Sequence, residues 1–146
     1  MKTAAEILRS KPDQTVYTVE PTASAYEAMR LMADKNIGAL VVVERDHVVG
    51  IVSERDYARK LVLMARSLMD TLIGDIMSSP VMYVHPHHTS EECMALMTEN
   101  RLRHLPVMDG GQLIGLISIG DLVKATISEQ QFIIEQLEHY ISGQRA

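Results

Sequence analysis

The chain contains an internal duplication, and this feature constrains its fold more than any other. When the sequence is offset by 65 residues, GIVSERD at 50–56 falls on GLISIGD at 115–121. The agreement continues upstream in the pairs Val19 and Val84, Pro21 and Pro86, Met29 and Met94, and Leu40 and Leu105. A chain written as two near-copies folds as two similar units, so the structure predicted for one copy applies to the other.

Each copy predicts the element order β-α-β-β-α. A short β run opens the copy at Thr15–Val19 or Val81–Val84, and a Ser/Thr-x-x-Glu capping box then begins a helix. Two strands follow, ALVVVE with VVGIVS and HLPVMD with LIGLIS, and the turns between them carry residues typical of hairpins. Helices over Arg55–Leu68 and Gly120–Ser128 close the two copies.

This order predicts a mixed α+β fold with two repeats, at 1-68 and 69-128, and a further segment at 129-146. One copy is too small to cover both faces of its own sheet, so we expect the copies to pack sheet to sheet about a pseudo-twofold axis. Clefts at such a seam are preferred ligand sites. The final segment is predicted as an amphipathic helix that either covers its own core or packs on another subunit. Its apolar stripe contains Phe132, Ile133, Leu137, Tyr140 and Ile141.

The composition argues against several classes of function. The net charge of −5 is unlike that of a general nucleic-acid binder, which needs a basic face. No apolar run approaches the roughly 20 residues of a membrane span, so we expect neither nucleic acid nor membrane as a partner. With one cysteine, Cys93, and no signal peptide at the amino end, the chain is expected in the reducing cytoplasm.

The repeated Ser-x-x-Asp allows two interpretations. Ser118 and Asp121 form a capping box, which needs no ligand to explain it. The same placement puts an acceptor-only carboxylate at the mouth of a helix, where it can receive both hydroxyls of a ribose. Ser53 and Asp56 repeat the arrangement, and the glycine three residues before each serine allows close approach to the backbone. The two roles are compatible.

These residues resemble the CBS domain family, named after cystathionine β-synthase. The resemblance rests on GIVSERD and GLISIGD in register, on the helix–strand–strand pattern before each, and on RHLPV at 103–107. It covers Ala4–Ser128, and two tandem copies form a Bateman module. The resemblance implies that adenosine-containing ligands bind in the seam clefts, that occupancy regulates an attached or separate protein partner, and that no reaction takes place on the ligand.

The resemblance also implies roles for particular residues. The ribose would be held by Asp56 and Asp121 with Ser53 and Ser118, and the phosphates would be faced by Arg55, Arg103 and His104. The adenine would be read by the backbone of Ile37, Gly38 and Ala39, and of Leu102, Arg103 and His104. The order Arg-His leaves open which of these two side chains points inward. Three further basic residues lie one turn further on and are weaker candidates for phosphate contact, with solvated helix surface as the expected role, namely Arg59, Lys60 and Lys124.

Among adenosine ligands, we expect AMP, ADP or NAD before ATP, because three phosphates require more positive charge than these residues supply. S-adenosylmethionine, a cation at sulfur, fits the arginines poorly. The resemblance also favours a homodimer, to which the C-terminal helix contributes. An alternative interpretation is an interaction or structural module that keeps the fold and binds no ligand.

Three histidines allow a third interpretation, a metal-dependent enzyme. His85, His87 and His88 lie close together in the sequence, but no cysteine or carboxylate accompanies them at a fixed spacing. We therefore expect exposed loop histidines, with no metal and no catalytic residue. Cys93 falls on the apolar face of its helix, where packing is sufficient to explain it.

Overall fold

The structure is a computed structural model that describes residues 1–143, and these residues form two compact units. The repeat-1 unit contains Thr15–Tyr83 and the hairpin residues Gly110–Ile114. The repeat-2 unit contains Met1–Gln14, Val84–Asp109 and the chain from Gly115 onward. Each unit is built on one copy of the duplication, and the mixed helix and strand content agrees with the predicted fold class.

The elements follow the predicted order in the first copy, and in the second copy they follow it after the first strand. Along the chain they are α1 (Ala4–Ser10), β1 (Thr18–Val19), α2 (Ala25–Lys35), β2 (Ala39–Glu44), β3 (His47–Ser53), α3 (Glu54–Asp56), α4 (Ile73–Ile76), α5 (Ser90–Asn100), β4 (His104–Asp109), β5 (Gln112–Ser118) and α6 (Ile119–Ile141). Helix α3 continues as a π-helical segment, Tyr57–Leu61. Within residues 1–143, no helix is both long and apolar enough to cross a membrane.

The first strand of each copy is shorter than predicted. In the repeat-1 unit, β1 pairs parallel to β2, which pairs antiparallel to β3. In the repeat-2 unit, the strand predicted at Val81–Val84 is wrong for all but its last residue, because only Val84 pairs, in a parallel bridge with Val107. The side chains of Met82 and Tyr83 are exposed. This unit therefore has a two-stranded sheet, β4-β5.

The hairpin turns have the backbone conformation that their residues predicted. Arg45 and Asp46, between β2 and β3, both adopt positive φ, at 51° and 65°. Gly110 and Gly111, between β4 and β5, do the same at 57° and 82°. Two successive residues with positive φ match the twist of the strands that they connect, and this geometry favours Asp and Gly.

Each unit has its own apolar core, and the two cores are built from equivalent positions. Fully buried side chains of the repeat-1 core include Met32, Leu40, Val52 and Ile76. Those of the repeat-2 core include Ile7, Met97, Leu105 and Ile117. Cys93 is also fully buried in the repeat-2 core, which agrees with the packing role expected for it.

The opening segment of each repeat belongs to the unit of the other repeat. Thr3, the N-cap of α1, forms an antiparallel bridge with Thr89, the N-cap of α5. In the same way Leu72, before α4, bridges with Ser24, the N-cap of α2. Helix α1 therefore packs with the second copy and α4 with the first. For this reason the predicted repeats, 1-68 and 69-128, differ at their ends from the compact units.

The glycine of each repeated motif makes room for these opening segments. A β-carbon built on Gly115 would lie 2.5 Å from both methyl carbons of Leu8, which follows Ile7 on α1. A β-carbon on Gly50 would lie 2.5 Å from Sδ of Met77, just after α4. The close approach expected at these glycines is thus made by a side chain of the same unit, and each glycine lets a short helix lie against its strand.

Helix α6 is longer than either helix predicted for this part of the chain. It runs without a break over Ile119–Ile141, so the helix predicted at Gly120–Ser128 and the segment predicted at 129-146 form one element. Positions 144–146 of that segment lie outside the described residues. The break expected at Ser128 does not occur because the chain contains no glycine or proline between 121 and 141.

We expect Gly115→Ala to lower the free energy of unfolding by about 1–3 kcal/mol, because the added methyl group overpacks the contact with Leu8. Urea denaturation measures this loss. Combining Gly115→Ala with Leu8→Ala removes the overlap, so the double variant should lose less stability than the sum of the two single variants.

Gly120→Ala is the matched control, since a β-carbon there meets no atom nearer than Ser118 Oγ at 3.6 Å. In an exposed helical turn this change should be neutral or should stabilise by up to about 1 kcal/mol. If Gly115→Ala behaves like Gly120→Ala, α1 does not lie against β5 as described.

Candidate functional site

In the repeat-2 unit, the repeated motif forms the junction between β5 and α6. Ser118 is the N-cap of the helix, with φ −96° and ψ 163°. Its backbone N–H donates to Asp121 Oδ2 at 2.8 Å, and the backbone N–H of Asp121 donates to Ser118 Oγ at 3.1 Å. The capping interpretation of the motif is therefore correct, and it fixes the orientation of the carboxylate.

The repeat-1 unit has the same junction between β3 and α3. The backbone N–H of Ser53 donates to Asp56 Oδ2 at 2.8 Å, and the Ser53 hydroxyl donates to the same oxygen at 3.2 Å. Tyr57, the next residue, anchors the helix by donating its hydroxyl to the Ala25 carbonyl at 2.7 Å. Burial, together with the negative charge of Asp56, raises the pKa of Tyr57 to about 12.

Each junction is also tied to the start of the neighbouring strand. The backbone N–H of Glu54 donates to the Gly38 carbonyl at 3.1 Å, and that of Ile119 donates to the Arg103 carbonyl at 2.8 Å. These two bonds occupy equivalent positions in the duplication. They bring Gly38 and Ala39 beside the first acidic helix mouth, and Arg103 and His104 beside the second.

A lysine pairs with each carboxylate; Lys11 was not predicted to belong to a site, and Lys60 was a weaker candidate expected on solvated helix surface. Lys11 Nζ lies 3.1 Å from Asp121 Oδ2 and donates to the Leu116 carbonyl at 2.9 Å. Lys60 Nζ lies 3.5 Å from Asp56 Oδ1 and donates to the Ile76 carbonyl at 2.6 Å. The expectation of solvated helix surface is thus wrong for Lys60, whose ammonium group bonds to backbone.

The two lysines differ in how far the sequence could have revealed them. Lys60 follows Asp56 by four residues on one helix, a spacing that favours an ion pair. Lys11 lies 110 residues before Asp121, beyond the end of α1, and no local pattern connects them. The contact follows only from the packing of the opening segment into the repeat-2 unit.

Each carboxylate keeps one oxygen that its serine does not hold. Within residues 1–143, the side-chain hydrogen bond and ion pair of Asp121 both fall on Oδ2, which leaves Oδ1 able to accept hydroxyl protons. For Asp56, the contacts of Oδ1 with described residues are longer, 3.4 Å to Ser78 Oγ and 3.5 Å to Lys60 Nζ. The side chains of Asp121 and Asp56 are 17% and 15% exposed, so both can be reached.

Of the Arg-His pair, histidine is the residue that points inward. Burial lowers the pKa of His104 to about 4, although the nearby charge of Asp121 acts in the opposite direction. The imidazole is therefore neutral at pH 7, although a positive charge was predicted there. The Arg103 side chain is exposed, so Arg103 provides the cation of this pair.

The remaining residues predicted for the site differ in how far they are exposed to solvent. Arg55 is exposed in the first turn of α3, one residue before Asp56. The backbone N–H groups of Ile37 and Leu102 donate to the carbonyls of Met32 and Met97, so they close α2 and α5. Ile37 and Leu102 also pack against their cores. Ala39 is covered, at 1% exposure for the whole residue, so neither its side chain nor its backbone is open to a base as predicted.

The three histidines of the HPHH run form a stacked group in the repeat-2 unit. The ring centroids of His87 and His88 are 4.7 Å apart, and those of His85 and His88 are 5.6 Å apart. His88 Nδ1 accepts the backbone N–H of His85 at 2.8 Å, which closes the turn before α5. In the part of the chain that the structure describes, no three His, Cys, Asp or Glu side chains are arranged to hold a metal ion.

An open apolar groove of about 610 Å³ lies along the helical segment after β3. It shares only Glu54 with the repeated motif, so it is separate from the acidic helix mouth. Its other lining residues include Met29, Tyr57, Leu61 and Arg66.

Comparisons with known proteins agree on one family. The CBS domain family model matches residues 4–63 and 73–128. The structure of a protein with CBS domains from Burkholderia ambifaria is 58% identical, with a TM-score of 0.85, and the match covers 88% of this chain and 96% of that one. CBSX2, solved in complex with AMP, is 27% identical, with a TM-score of 0.71, and the match covers 89% of this chain and 99% of that one.

Among curated relatives, the mitochondrial CBS domain-containing protein CBSX3 of Arabidopsis thaliana is 41% identical over 125 residues. The match covers 82% of this chain and 61% of that protein. This chain therefore spans less than two thirds of the length of that relative.

We expect the burial of His104 to lower the free energy of unfolding as the pH falls. Its folded pKa of about 4 lies below the ordinary value of 6.5, so the unfolded chain takes up a proton first as the pH falls. The contribution of His104 is thus complete above about pH 6.5 and is lost as the pH falls towards 4, by at most about 3 kcal/mol.

The measurement compares urea denaturation of the wild type and of His104→Gln at pH 7 and pH 4.5. Carboxylates titrate in both proteins, so the difference between the two losses isolates the histidine. Equal losses would show that His104 is not buried as a neutral imidazole.

Proposed function

Because this chain belongs to the CBS domain family, we propose that it binds an adenosine nucleotide, of the AMP, ADP or NAD type, and passes its occupancy to a protein partner. CBS pair proteins are regulatory, and CBSX2 is a relative that was solved with AMP. The observation that carries the proposal is the pair of acidic helix mouths. At Asp121 and at Asp56, a serine fixes one carboxylate oxygen and does not bind the other, and both side chains are partly exposed.

In this proposal the accessible oxygen receives the hydroxyls of a ribose. A carboxylate oxygen has two lone pairs, so Asp121 Oδ1 can accept both hydroxyl protons of a cis-diol. The Ser118 N–H bond prevents the carboxylate from turning away, and such preorganisation lowers the entropy lost on binding. Ser53 and Asp56 offer the same arrangement in the repeat-1 unit.

The phosphate would be met by exposed cations near each helix mouth. Arg103 lies beside the second mouth, since its carbonyl accepts the N–H of Ile119, and Arg55 lies inside the first motif. Arginine can offer two parallel N–H groups to phosphate oxygens. Lys11 already pairs with Asp121, so a phosphate there would compete for its ammonium group or share it.

The limited charge around each mouth supports the shorter phosphate chains. His104 is neutral at pH 7 because burial lowers its pKa to about 4, so Arg103 and Lys11 supply the cations beside Asp121. AMP, ADP and NAD place less negative charge at one point than ATP does, and they rank first. S-adenosylmethionine carries a positive charge of its own and ranks last.

The proposal includes no reaction on the nucleotide. The single thiol, Cys93, is a poor nucleophile because burial raises its pKa, and it lies in the core of the repeat-2 unit. A regulatory protein needs only a ligand whose affinity differs between two conformations. The cytoplasmic location and the homodimer expected from the sequence remain parts of this proposal.

Asp121→Asn should weaken binding of AMP or NAD by at least about tenfold in isothermal titration calorimetry, because a hydrogen bond to a charged group contributes about 1.5–3 kcal/mol. Asp56→Asn tests the other helix mouth in the same way. Asp109→Asn removes an exposed carboxylate from the hairpin of the repeat-2 unit and is the matched control. It should bind as the wild type does.

A thermal-shift series decides between this function and an interaction module that binds no ligand. A nucleotide at a hundredfold excess over its Kd stabilises the native state by about 2.7 kcal/mol, which raises Tm measurably. If AMP, ADP, NAD, ATP and S-adenosylmethionine all leave Tm unchanged, the interaction module replaces the sensor. If a nucleotide binds with equal affinity to the wild type and both aspartate variants, the carboxylates do not hold the ribose.

A further inference from the structure

The two lysines that pair with the aspartates differ in how many of their N–H groups the protein itself uses. An ammonium group has three N–H donors and no acceptor. Lys60 donates to two backbone carbonyls, that of Ile76 at 2.6 Å and that of Met77 at 3.3 Å. Its ion pair with Asp56, 3.5 Å away, takes up the third donor. The folded chain thus uses the whole ammonium group of Lys60.

Lys11 has fewer partners than Lys60. It donates to the Leu116 carbonyl at 2.9 Å and pairs with Asp121 Oδ2 at 3.1 Å. Among residues 1–143, these two groups are the partners of its ammonium group, so one of its three N–H donors remains for a ligand. The Lys11 side chain is 29% exposed, which lets a ligand reach it.

The packing of α1 within the repeat-2 unit holds Lys11 in this position. Lys11 is the C-cap of α1, and its backbone N–H donates to the Leu8 carbonyl at 3.3 Å. Leu8 lies against Gly115, and at the other end of the helix the N–H of Ala4 donates to the His88 carbonyl at 2.7 Å. The ammonium group is therefore in place before any ligand arrives, which lowers the entropy lost on binding.

On the basis of the proposed function, we propose that Lys11 makes the repeat-2 site select nucleotides over nucleosides by donating its remaining N–H to the phosphate. Asp121 Oδ2 already accepts the Ser118 N–H and pairs with Lys11, so the ribose hydroxyls bind Oδ1. The ammonium group then lies beside that ribose, to which a 5′-phosphate is attached through one exocyclic carbon. Lys11 bridges the carboxylate and the phosphate, two anions that otherwise repel each other.

The other basic residues beside Asp121 are less suited to this selection. Burial lowers the pKa of His104 to about 4, so its ring carries no charge at pH 7. The Arg103 side chain is exposed, and water and salt screen its attraction for a phosphate. Lys11 is both charged and partly buried, so its contact with a phosphate is screened less.

Isothermal titration calorimetry with AMP and with adenosine measures the selection. Every protein carries Asp56→Asn, which weakens the repeat-1 site, so that the tighter binding reports the repeat-2 site. Lys11→Met removes the ammonium group and keeps most of the side-chain length. It should weaken AMP binding by at least about tenfold and adenosine binding by less than about threefold, because adenosine has no phosphate to lose a charge-assisted bond.

The ratio of the two Kd values separates selection from a structural role of Lys11. If Lys11 only held Asp121 in place, Lys11→Met would weaken both ligands alike and leave the ratio unchanged. Arg9→Met removes an exposed cation from the same helix and is the matched control. It should alter the ratio by less than about twofold. If Arg103→Met changes the ratio more than Lys11→Met does, Arg103 selects the phosphate and the proposal is wrong.

A second measurement leaves Lys11 unaltered, so it decides even if Lys11→Met fails to fold. The Asp56→Asn protein is treated with an acetylating ester, and acetylation of each lysine is followed by mass spectrometry. At equal occupancy of the site, AMP should slow acetylation of Lys11 several-fold more than adenosine does, because the phosphate engages its free N–H. Lys35, exposed in the repeat-1 unit, is the internal reference and should react at the same rate with either ligand.

The outcomes distinguish this inference from the proposed function. If the wild type binds neither AMP nor adenosine, both are overturned. If the wild type binds AMP but the Asp56→Asn protein does not, nucleotide binding belongs to the repeat-1 site and selection by Lys11 is overturned. An unchanged Kd ratio in Lys11→Met, or equal protection of Lys11 by AMP and adenosine, overturns the selection alone.

Discussion

One backbone hydrogen bond in each unit determines what the repeated motif can do. The N–H of Ser53 or Ser118 donates to the aspartate three residues later, which ends a strand, begins a helix and fixes a carboxylate in one step. Capping a helix and presenting an acceptor to a ligand are therefore one geometry. Because the serine holds only one carboxylate oxygen, the cap leaves the second available for a ligand.

In each unit, the position of the aspartate carboxylate depends in turn on a segment from outside its own repeat. Helix α1 lies against β5 through the contact of Leu8 with the backbone at Gly115, and the residue Lys11, just beyond α1, reaches Asp121. The segment after α4 lies against β3 at Gly50 in the same manner. The glycine three residues before each serine thus allows close packing within the unit. In the repeat-2 unit, this packing brings Lys11 to Asp121 as its charge partner.

Periodicity and capping residues predicted most of the fold, because these signals are local. The duplication and the hairpin turns at Asp46 and Gly110 required no knowledge of distant contacts. The strand expected at Val81–Val84 failed because pairing, which sequence spacing does not report, engages only Val84. Lys11 and the burial of His104 were unpredictable for a related reason. The Lys11 contact and the burial of His104 both depend on which segments of the chain fold together. The order of the repeats suggested units at 1-68 and 69-128, whereas the compact units exchange their opening segments.

The two units have separate cores built from equivalent residues, but the surroundings of their aspartate carboxylates differ. This difference has a physical consequence. Leu40 and Leu105 are both fully buried, since each unit needs the same apolar filling. Around the acidic groups, Asp56 is neutralised from its own helix by Lys60, whereas Asp121 is neutralised by Lys11 from a separate segment. A ligand that attracts Lys60 acts on the helix that carries Asp56. A ligand that attracts Lys11 instead pulls directly on the chain next to α1. At the repeat-1 site the opening segment is reached indirectly, through the bond from Lys60 to the Ile76 carbonyl at the end of α4.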